Sequence, residues 1–152
     1  MEQLKLNLSK QYEVEITSMW FTIENTSRNF DCLFVFGDNT RRYGKGGQAQ
    51  IRSEFNAVGL ATKYNPGMED KDFFNDRDIE KIKKILDQDI EKIKKRFDNG
   101  NFRKIVFPIA GLGTGLSQLQ QRSPKAFNYL CKLLEENFGI NTMGDGTLWK
   151  NY

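Results

Sequence analysis

Short continuous runs of apolar residues predict buried β-strands along the chain. Residues 32–36, 57–62 and 102–109 each carry such a run, as is typical of strands whose two faces are both covered. Within the first 30 residues apolar and polar positions alternate more loosely, at 4–8, 12–16 and 20–23. This alternation predicts further short strands without fixing their place in the sheet.

Two longer segments show the three- and four-residue spacing of apolar positions that predicts amphipathic helices. The first covers residues 75–99 and ends at an Asn-Gly pair. The second begins at Ser123, a typical N-cap followed by Pro124, and ends at Gly139. A shorter helix is expected over residues 48–55, and the tail is expected to add one edge strand.

Strands that alternate with helices predict an α/β fold with a mixed, mostly parallel sheet flanked by helices on both faces. The length of 152 residues fits one domain over residues 1–152. The N-terminal strands of residues 1–30 have no certain place in it. Ligands of such sheets bind beyond the carboxyl ends of the strands.

The composition removes several classes of chemistry. The chain has no histidine, so Ser-His-Asp catalysis and most catalytic zinc sites lack a key group. We therefore expect no metal and no cofactor. Cys32 and Cys131 lie in apolar contexts without CxxC spacing and are interpreted as core residues. No apolar stretch is long enough to span a bilayer and no secretory signal is visible, so we expect a cytoplasmic protein without a membrane partner.

Positive charge is concentrated in two segments. Residues 79–97 hold seven basic and four acidic residues, and their charges lie opposite an apolar stripe, which favours a solvated helix face over nucleic-acid binding. Residues 38–52 hold four basic residues and one acid. This second segment surrounds a cluster of glycines.

Two glycine-rich loops follow predicted strands. Residues 44–48 read Gly-Lys-Gly-Gly-Gln, and residues 111–115 read Gly-Leu-Gly-Thr-Gly. Such loops let backbone N–H groups approach a phosphate closely, although turns also require glycine. Neither loop matches a Walker motif or a dinucleotide fingerprint. Two anion cradles at neighbouring strand ends would suit a nucleotide that carries a diphosphate.

These segments resemble the macrodomain superfamily. Phe34-Val35-Phe36-Gly37-Asp38-Asn39 with its glycine loop is similar to the first macrodomain loop, and residues 106–116, with Phe-Pro followed by Gly-Thr-Gly, are similar to the second. The resemblance covers most of residues 31–140 and implies a macrodomain-like fold that binds ADP-ribose or a derivative. The ligand-binding residues that it and the glycine pattern nominate are Asn39, Gly44, Gly46, Gly47, Gln48, Gly111, Gly113, Thr114, Gly115 and Leu116.

Lys63, at the end of its strand, is similar to the lysine that attacks the anomeric carbon in the terminal ADP-ribose glycohydrolase and DNA-ADP-ribose hydrolase branch. The alternative is that Lys63 is a surface lysine or pairs with a phosphate. Asp38 is the nearest acid that would serve as acid–base group, or it caps the turn after its strand. The family's carboxylates are missing, because the matching positions are Ala49 and Ser117. The family's acidic contact to adenine has no clear match either, since the region offers only Glu24, Asn25 and Asn29.

Two functions remain open from the sequence. The first is an enzyme that hydrolyses an ADP-ribosyl linkage on nucleic acid or protein through Lys63 and Asp38. The second is a non-catalytic module that binds or sequesters ADP-ribose or nucleotides derived from NAD. A more distant alternative is that the basic residues of 41–52 grip nucleic-acid phosphates, which predicts a steep loss of affinity with salt.

Overall fold

The structure is a computed structural model that describes residues 11–151. Its centre is a four-stranded sheet in which every pairing is parallel and the strand order is β1-β4-β2-β3. The strands are β1 (Val14–Thr17), β2 (Cys32–Asn39), β3 (Ala57–Lys63) and β4 (Lys104–Pro108). The α/β class predicted from the alternating pattern is therefore correct. The strand expected over residues 4–8 lies outside the described residues.

The strands are connected by helices of very different lengths. The α-helices are α1 (Ile23–Arg28), α2 (Ile79–Asn99), α3 (Leu119–Arg122) and α4 (Pro124–Phe138). Short 3-10 helices cover Gly47–Ile51, Asp70–Asp72 and Asp76–Asp78. Among residues 11–151 no helix combines the length and the apolar character needed to cross a bilayer.

The two long helices share one face of the sheet. Leu86 of α2 and Leu134 of α4 are buried in the same cluster as the sheet residue Val35. On the other face a smaller cluster forms, in which Phe21 packs edge-on against Phe34 with ring centroids 5.4 Å apart. In the described part of the chain this second face is covered by short elements, among them the 3-10 helix Gly47–Ile51, whereas both long helices lie on the first face.

Two local expectations near the chain's ends are wrong. Residues 20–23 do not form a strand, because the side chain of Thr22 accepts a hydrogen bond from the backbone N–H of Asn25 (3.0 Å) and caps α1 instead. The tail does not join the main sheet. It forms an antiparallel pair of its own, β5 (Asn141–Thr142) with β6 (Leu148–Trp149).

The second long helix, α4, begins at the predicted position, but Ser123 makes a different contact from the predicted N-cap. Pro124 occupies its first turn and Gly139 closes it with φ of 67°. The hydroxyl of Ser123 does not cap the helix. It donates to Asp76 Oδ1 (2.7 Å) and ties the start of α4 to the 3-10 helix before α2.

The strand order brings the predicted loops together. β2 lies between β3 and β4, so the loops that follow β2 and β4 leave the same end of the sheet. A register shift between Asp38 and Asn39 places Asn39 opposite Lys63 at the carboxyl ends of β2 and β3. Both strands thus continue past the apolar runs that predicted them, into the residues nominated for the site.

Candidate functional site

A cleft of about 400 Å³ opens at the carboxyl end of the sheet. The loop of residues 44–48 forms part of its wall, and the loop of residues 111–116 forms another part. All twelve residues nominated from the sequence line it: Asp38, Asn39, Gly44, Gly46, Gly47, Gln48, Lys63, Gly111, Gly113, Thr114, Gly115 and Leu116. The volume lies within the range of ordinary small-molecule sites.

The second loop presents backbone N–H groups to the cleft. Among residues 11–151 no acceptor bonds to the N–H groups of Gly113, Thr114, Gly115 or Leu116, whereas the Gly113 carbonyl accepts from the N–H of Leu119 (2.9 Å). Such a row of free donors is suited to an anion. The hydroxyl of Thr114 is used within the loop, since it donates to the carbonyl of Ala110 (2.7 Å).

Gly113 and Gly115 of this loop differ in the space around them. Gly113 has φ of +80°, and a Cβ there would lie 2.9 Å from the Cβ of Leu119, so close packing requires the glycine. A Cβ on Gly115 would meet nothing within 4 Å. Gly115 therefore has open space beside it, and a side chain there can be accommodated without disturbing the packing.

The first loop presents a second group of donors. The N–H groups of Gly46, Gly47 and Gln48 find no acceptor within the described range 11–151, while the Gly46 carbonyl accepts from the N–H of Ala49 (3.1 Å). A Cβ on Gly46 or Gly47 would meet nothing within 4 Å. Both loops thus combine free N–H groups with open space beside their glycines.

Gln48 connects the loops through its side chain. Its Oε1 accepts from the N–H of Gly37 (2.9 Å) at the end of β2, and its Nε2 donates to the carbonyl of Gly111 (3.3 Å). The amide thereby connects the first loop to β2 and to the second loop and holds the two loops at a fixed separation. The backbone N–H of Gln48 is left for a ligand.

Asp38 is unsuited to the acid–base role that the sequence suggested. Its carboxylate is only 2% exposed, and the guanidinium of Arg52 donates to Oδ2 at 2.9 Å and to Oδ1 at 2.6 Å. The backbone N–H of Asn39 also donates to Oδ1 (2.8 Å). A buried carboxylate whose two oxygens already accept these hydrogen bonds has a structural role at the end of β2.

Two of the four basic residues in the segment 38–52 are committed to internal contacts. Arg42 binds Asp89 of α2 (2.5 Å) and approaches Asp38 (3.5 Å). The other oxygen of Asp89 accepts from the N–H of Ala61 (2.7 Å), on the strand at the edge of the sheet. Arg42 and Arg52 are therefore not free to bind phosphates, which weakens the nucleic-acid interpretation of residues 41–52.

Asn39 carries an unsatisfied acceptor at the cleft. Its Nδ2 donates to the carbonyl of Tyr43 (2.9 Å), but its Oδ1 is buried without a hydrogen-bond partner in the described structure. A buried acceptor without a partner costs about 1–3 kcal/mol. A ligand hydroxyl that donates to this oxygen would recover that free energy.

Lys63 lies at the end of β3 in a mostly buried position. Its Nζ donates to the carbonyl of Gly67 (2.6 Å) and lies 4.4 Å from the centre of the Phe73 ring. Burial lowers the pKa of the amine, Asp72 opposes that shift, and Arg122 adds to it. A lysine with a lowered pKa holds more of the neutral amine at a given pH than an ordinary one.

Two exposed aromatic residues at the cleft were not nominated from the sequence. Trp20 is 83% exposed and Tyr43 is 57% exposed, and both line the cleft. The polar residues that the sequence offered in this region are occupied elsewhere: Glu24 pairs with an arginine of α1, Asn25 Nδ2 donates to the Trp20 carbonyl, and Asn29 Nδ2 donates to the Asn25 carbonyl. The apolar pattern of residues 20–23 predicts a strand at Trp20. That pattern does not reveal whether the tryptophan ring is exposed to solvent.

The two cysteines lie away from the cleft. Cys32 is buried in the smaller cluster on the second face of the sheet, and Cys131 is partly buried against the main cluster. Burial raises the pKa of both thiols. Neither lines the cleft, in keeping with the expectation that they are packing residues.

Comparison with known proteins gives a family without an assigned activity. No curated protein and no solved structure matches the chain. A family model described as a family of unknown function (DUF7831) matches residues 16–133, which is more than half of the chain. The protein belongs to that family of unknown function, DUF7831.

Proposed function

We propose that the cleft binds ADP-ribose or a related nucleotide with a diphosphate, as the macrodomain resemblance implies. The observation that supports this most is the pair of loops with free N–H groups, residues 46–48 and 113–116, held together by the side chain of Gln48. A diphosphate between them accepts hydrogen bonds from both loops. Each bond to a charged phosphate oxygen contributes about 1.5–3 kcal/mol.

The remaining groups suit the other parts of such a nucleotide. Asn39 Oδ1, which lacks a donor, would accept from a ribose hydroxyl. Trp20 and Tyr43 offer exposed rings on which a base can stack. The carboxylate of Asp38 is neutralised by its ion pair, so no free carboxylate in this group opposes a diphosphate.

Calorimetric titration with ADP-ribose tests the proposal, using two matched glycine variants. Gly115→Glu places a carboxylate beside the free N–H groups, and Gly144→Glu places the same group between β5 and β6. A Cβ at either position meets nothing within 4 Å, so both variants should fold. We expect wild type and Gly144→Glu to bind equally and Gly115→Glu to lose binding. No binding by wild type, or equal binding by all three proteins, would overturn the proposal.

A second candidate function is hydrolysis of an ADP-ribosyl linkage on nucleic acid or protein. It is favoured by the position of Lys63 at the cleft and by its lowered pKa. The neutral amine would form a bond to the anomeric carbon while the bond to the nucleobase or side chain breaks and the leaving group takes up a proton. Water would then hydrolyse the adduct and restore the amine. Asp38 has no part in this scheme.

Release of ADP-ribose from modified DNA and modified protein separates hydrolysis from binding alone. The function predicts release by wild type, loss of release by Lys63→Ala, and a borohydride-trapped adduct on Lys63 in the mass spectrum. Lys132→Ala, which removes an exposed lysine paired with Glu136 on α4, should retain full activity. No release by wild type, or unchanged release by Lys63→Ala, would leave binding as the function.

A further inference from the structure

Helix α2 carries four exposed lysines along one line of its surface. Lys81, Lys84, Lys92 and Lys95 are all exposed, and their spacings of three, eight and three residues place them on one side of the helix. Gln88, between them, is exposed as well. We refer to these four lysines as the lysine stripe.

The acidic residues Glu80, Asp87 and Glu91 of the same helix lie next to the lysine stripe and are already in contact with other partners. Glu80 pairs with Lys83 and Glu91 pairs with Lys94. The carboxylate of Asp87 accepts a hydrogen bond from the hydroxyl of Tyr129 on α4 (2.6 Å). Lys83 and Lys94 are therefore paired with carboxylates of their own helix.

The lysine stripe itself is not neutralised. None of its four amines forms an ion pair with a carboxylate among residues 11–151. Burial lowers the pKa of the Lys92 amine, the nearby guanidinium groups of Arg42 and Arg96 add to that shift, and the carboxylates of Asp89 and Asp38 oppose it. Crowded like charges without partners are unfavourable in the free protein, and an anionic partner would relieve that repulsion.

Aromatic residues lie at both ends of the lysine stripe. The Nζ of Lys81 is 5.0 Å from the centre of the Tyr64 ring. At the other end, Arg96 donates to the backbone carbonyl of Phe55, whose side chain is 65% exposed. The Tyr64 ring is packed edge-on against Phe74, with centroids 4.8 Å apart, so Phe55 is the exposed ring of the two on which a base can stack. Basic surfaces combined with such rings hold single-stranded nucleic acids.

We propose that the lysine stripe binds the phosphate backbone of a single-stranded nucleic acid. With a rise of 1.5 Å per residue, the distance from Lys81 to Lys95 along the axis is about 21 Å, enough for several consecutive phosphates. A membrane surface fits less well, because the apolar face of α2 is buried against the sheet. The surface does not depend on what the cleft binds.

The lysine stripe ends beside the cleft. Tyr64, under Lys81, directly follows Lys63, which lines the cleft. A strand bound along α2 therefore passes the carboxyl end of β3. This places the two binding surfaces next to each other while leaving each of them separately testable.

Fluorescence anisotropy with a labelled single-stranded oligothymidine, measured over a series of salt concentrations, tests the proposal. The helix offers a matched pair of double variants. Lys84→Gln/Lys95→Gln removes two charges from the lysine stripe, and Lys83→Gln/Lys94→Gln removes the charges of the two paired lysines. We expect about a tenfold loss of affinity in the first and a salt slope lower by about 1.4, at 0.7 per phosphate contact. The second should bind as wild type does.

Three results would overturn the proposal. These are no salt-dependent binding of the oligonucleotide by wild type, an equal loss of affinity in both double variants, and competition by vesicles of anionic phospholipid that is as strong as competition by unlabelled oligonucleotide. ADP-ribose calorimetry on the same variants should give wild-type affinity. A failure of the cleft proposal is thereby distinguished from a failure of this one.

Discussion

Arg52 and Asp38 form a two-point ion pair beneath the first glycine loop, with N–O distances of 2.9 and 2.6 Å. The carboxylate is 2% exposed and the guanidinium side chain 16%. Gly59 on the neighbouring strand makes room for it, since a Cβ there would lie 2.2 Å from Asp38 Oδ2. Arg52 also donates to the Gly44 carbonyl (2.8 Å). The pair therefore anchors the glycine loop to β2.

Breaking this pair should cost much more stability than breaking an exposed one. Asp38→Asn leaves the guanidinium of Arg52 largely buried without its counter-charge, so we expect the free energy of unfolding to fall by about 3–5 kcal/mol. Chemical denaturation measures the change. Asp31→Asn is the matched control, because it breaks the exposed pair with Arg103 and should cost at most about 1 kcal/mol. Equal losses in the two variants would show that Asp38 is not the structural anchor described above.

The apolar pattern predicted the sheet well because strands whose two faces are both covered are buried along their whole length. The runs at 32–36 and 57–62 lie within β2 and β3, and only their last residues were missed. Three of those residues, Asp38, Asn39 and Lys63, are buried although polar. Their burial depends on partners distant in sequence, such as Arg52, which hydrophobic periodicity cannot reveal.

The glycine loops could be predicted as neighbours, but the roles of individual residues could not. That both follow adjacent parallel strands was enough to place them at one cleft. The use of the Gln48 amide as a bridge to Gly111, and of the Thr114 hydroxyl within its own loop, depends on side-chain geometry. Trp20 was missed because an apolar residue beside other apolar residues reads as part of a strand, whereas Thr22 starts a helix there.

Trp20 should contribute to nucleotide affinity through stacking. The ring is 83% exposed and lines the cleft, so Trp20→Ala should weaken binding of ADP-ribose by about 1–3 kcal/mol, the usual contribution of one base stacked on an aromatic ring. Calorimetry measures the loss. Trp149→Ala removes the other tryptophan, which lies on β6 away from the cleft lining, and should bind as wild type. Unchanged affinity in Trp20→Ala would exclude a stacked base at this ring.

The charge of Arg122 should lower the pKa of Lys63, because both cations lie over the same Phe73 ring. Its guanidinium carbon lies 3.9 Å from the centre of the Phe73 ring, and its charge helps to lower the pKa of the lysine. We expect Arg122→Gln to raise the pKa of Lys63, as followed by lysine NMR against pH. Arg103→Gln, which alters an exposed pair with Asp31, should leave it unchanged. A shift of equal size in both variants would contradict the local effect of Arg122.

Tyr64 should make the protein less stable at high pH. Burial and the hydrogen bond to Asp78 (3.0 Å) raise the pKa of its hydroxyl from 10.0 to about 12. Between these values the unfolded chain loses the proton while the folded protein keeps it, so the free energy of unfolding decreases as the pH rises through this window. Tyr64→Phe has no hydroxyl to ionise, and its unfolding free energy should therefore fall less steeply than that of wild type between pH 10 and 12. Denaturation at several pH values measures both slopes, and parallel curves would show that the hydroxyl of Tyr64 titrates alike in the folded and unfolded states.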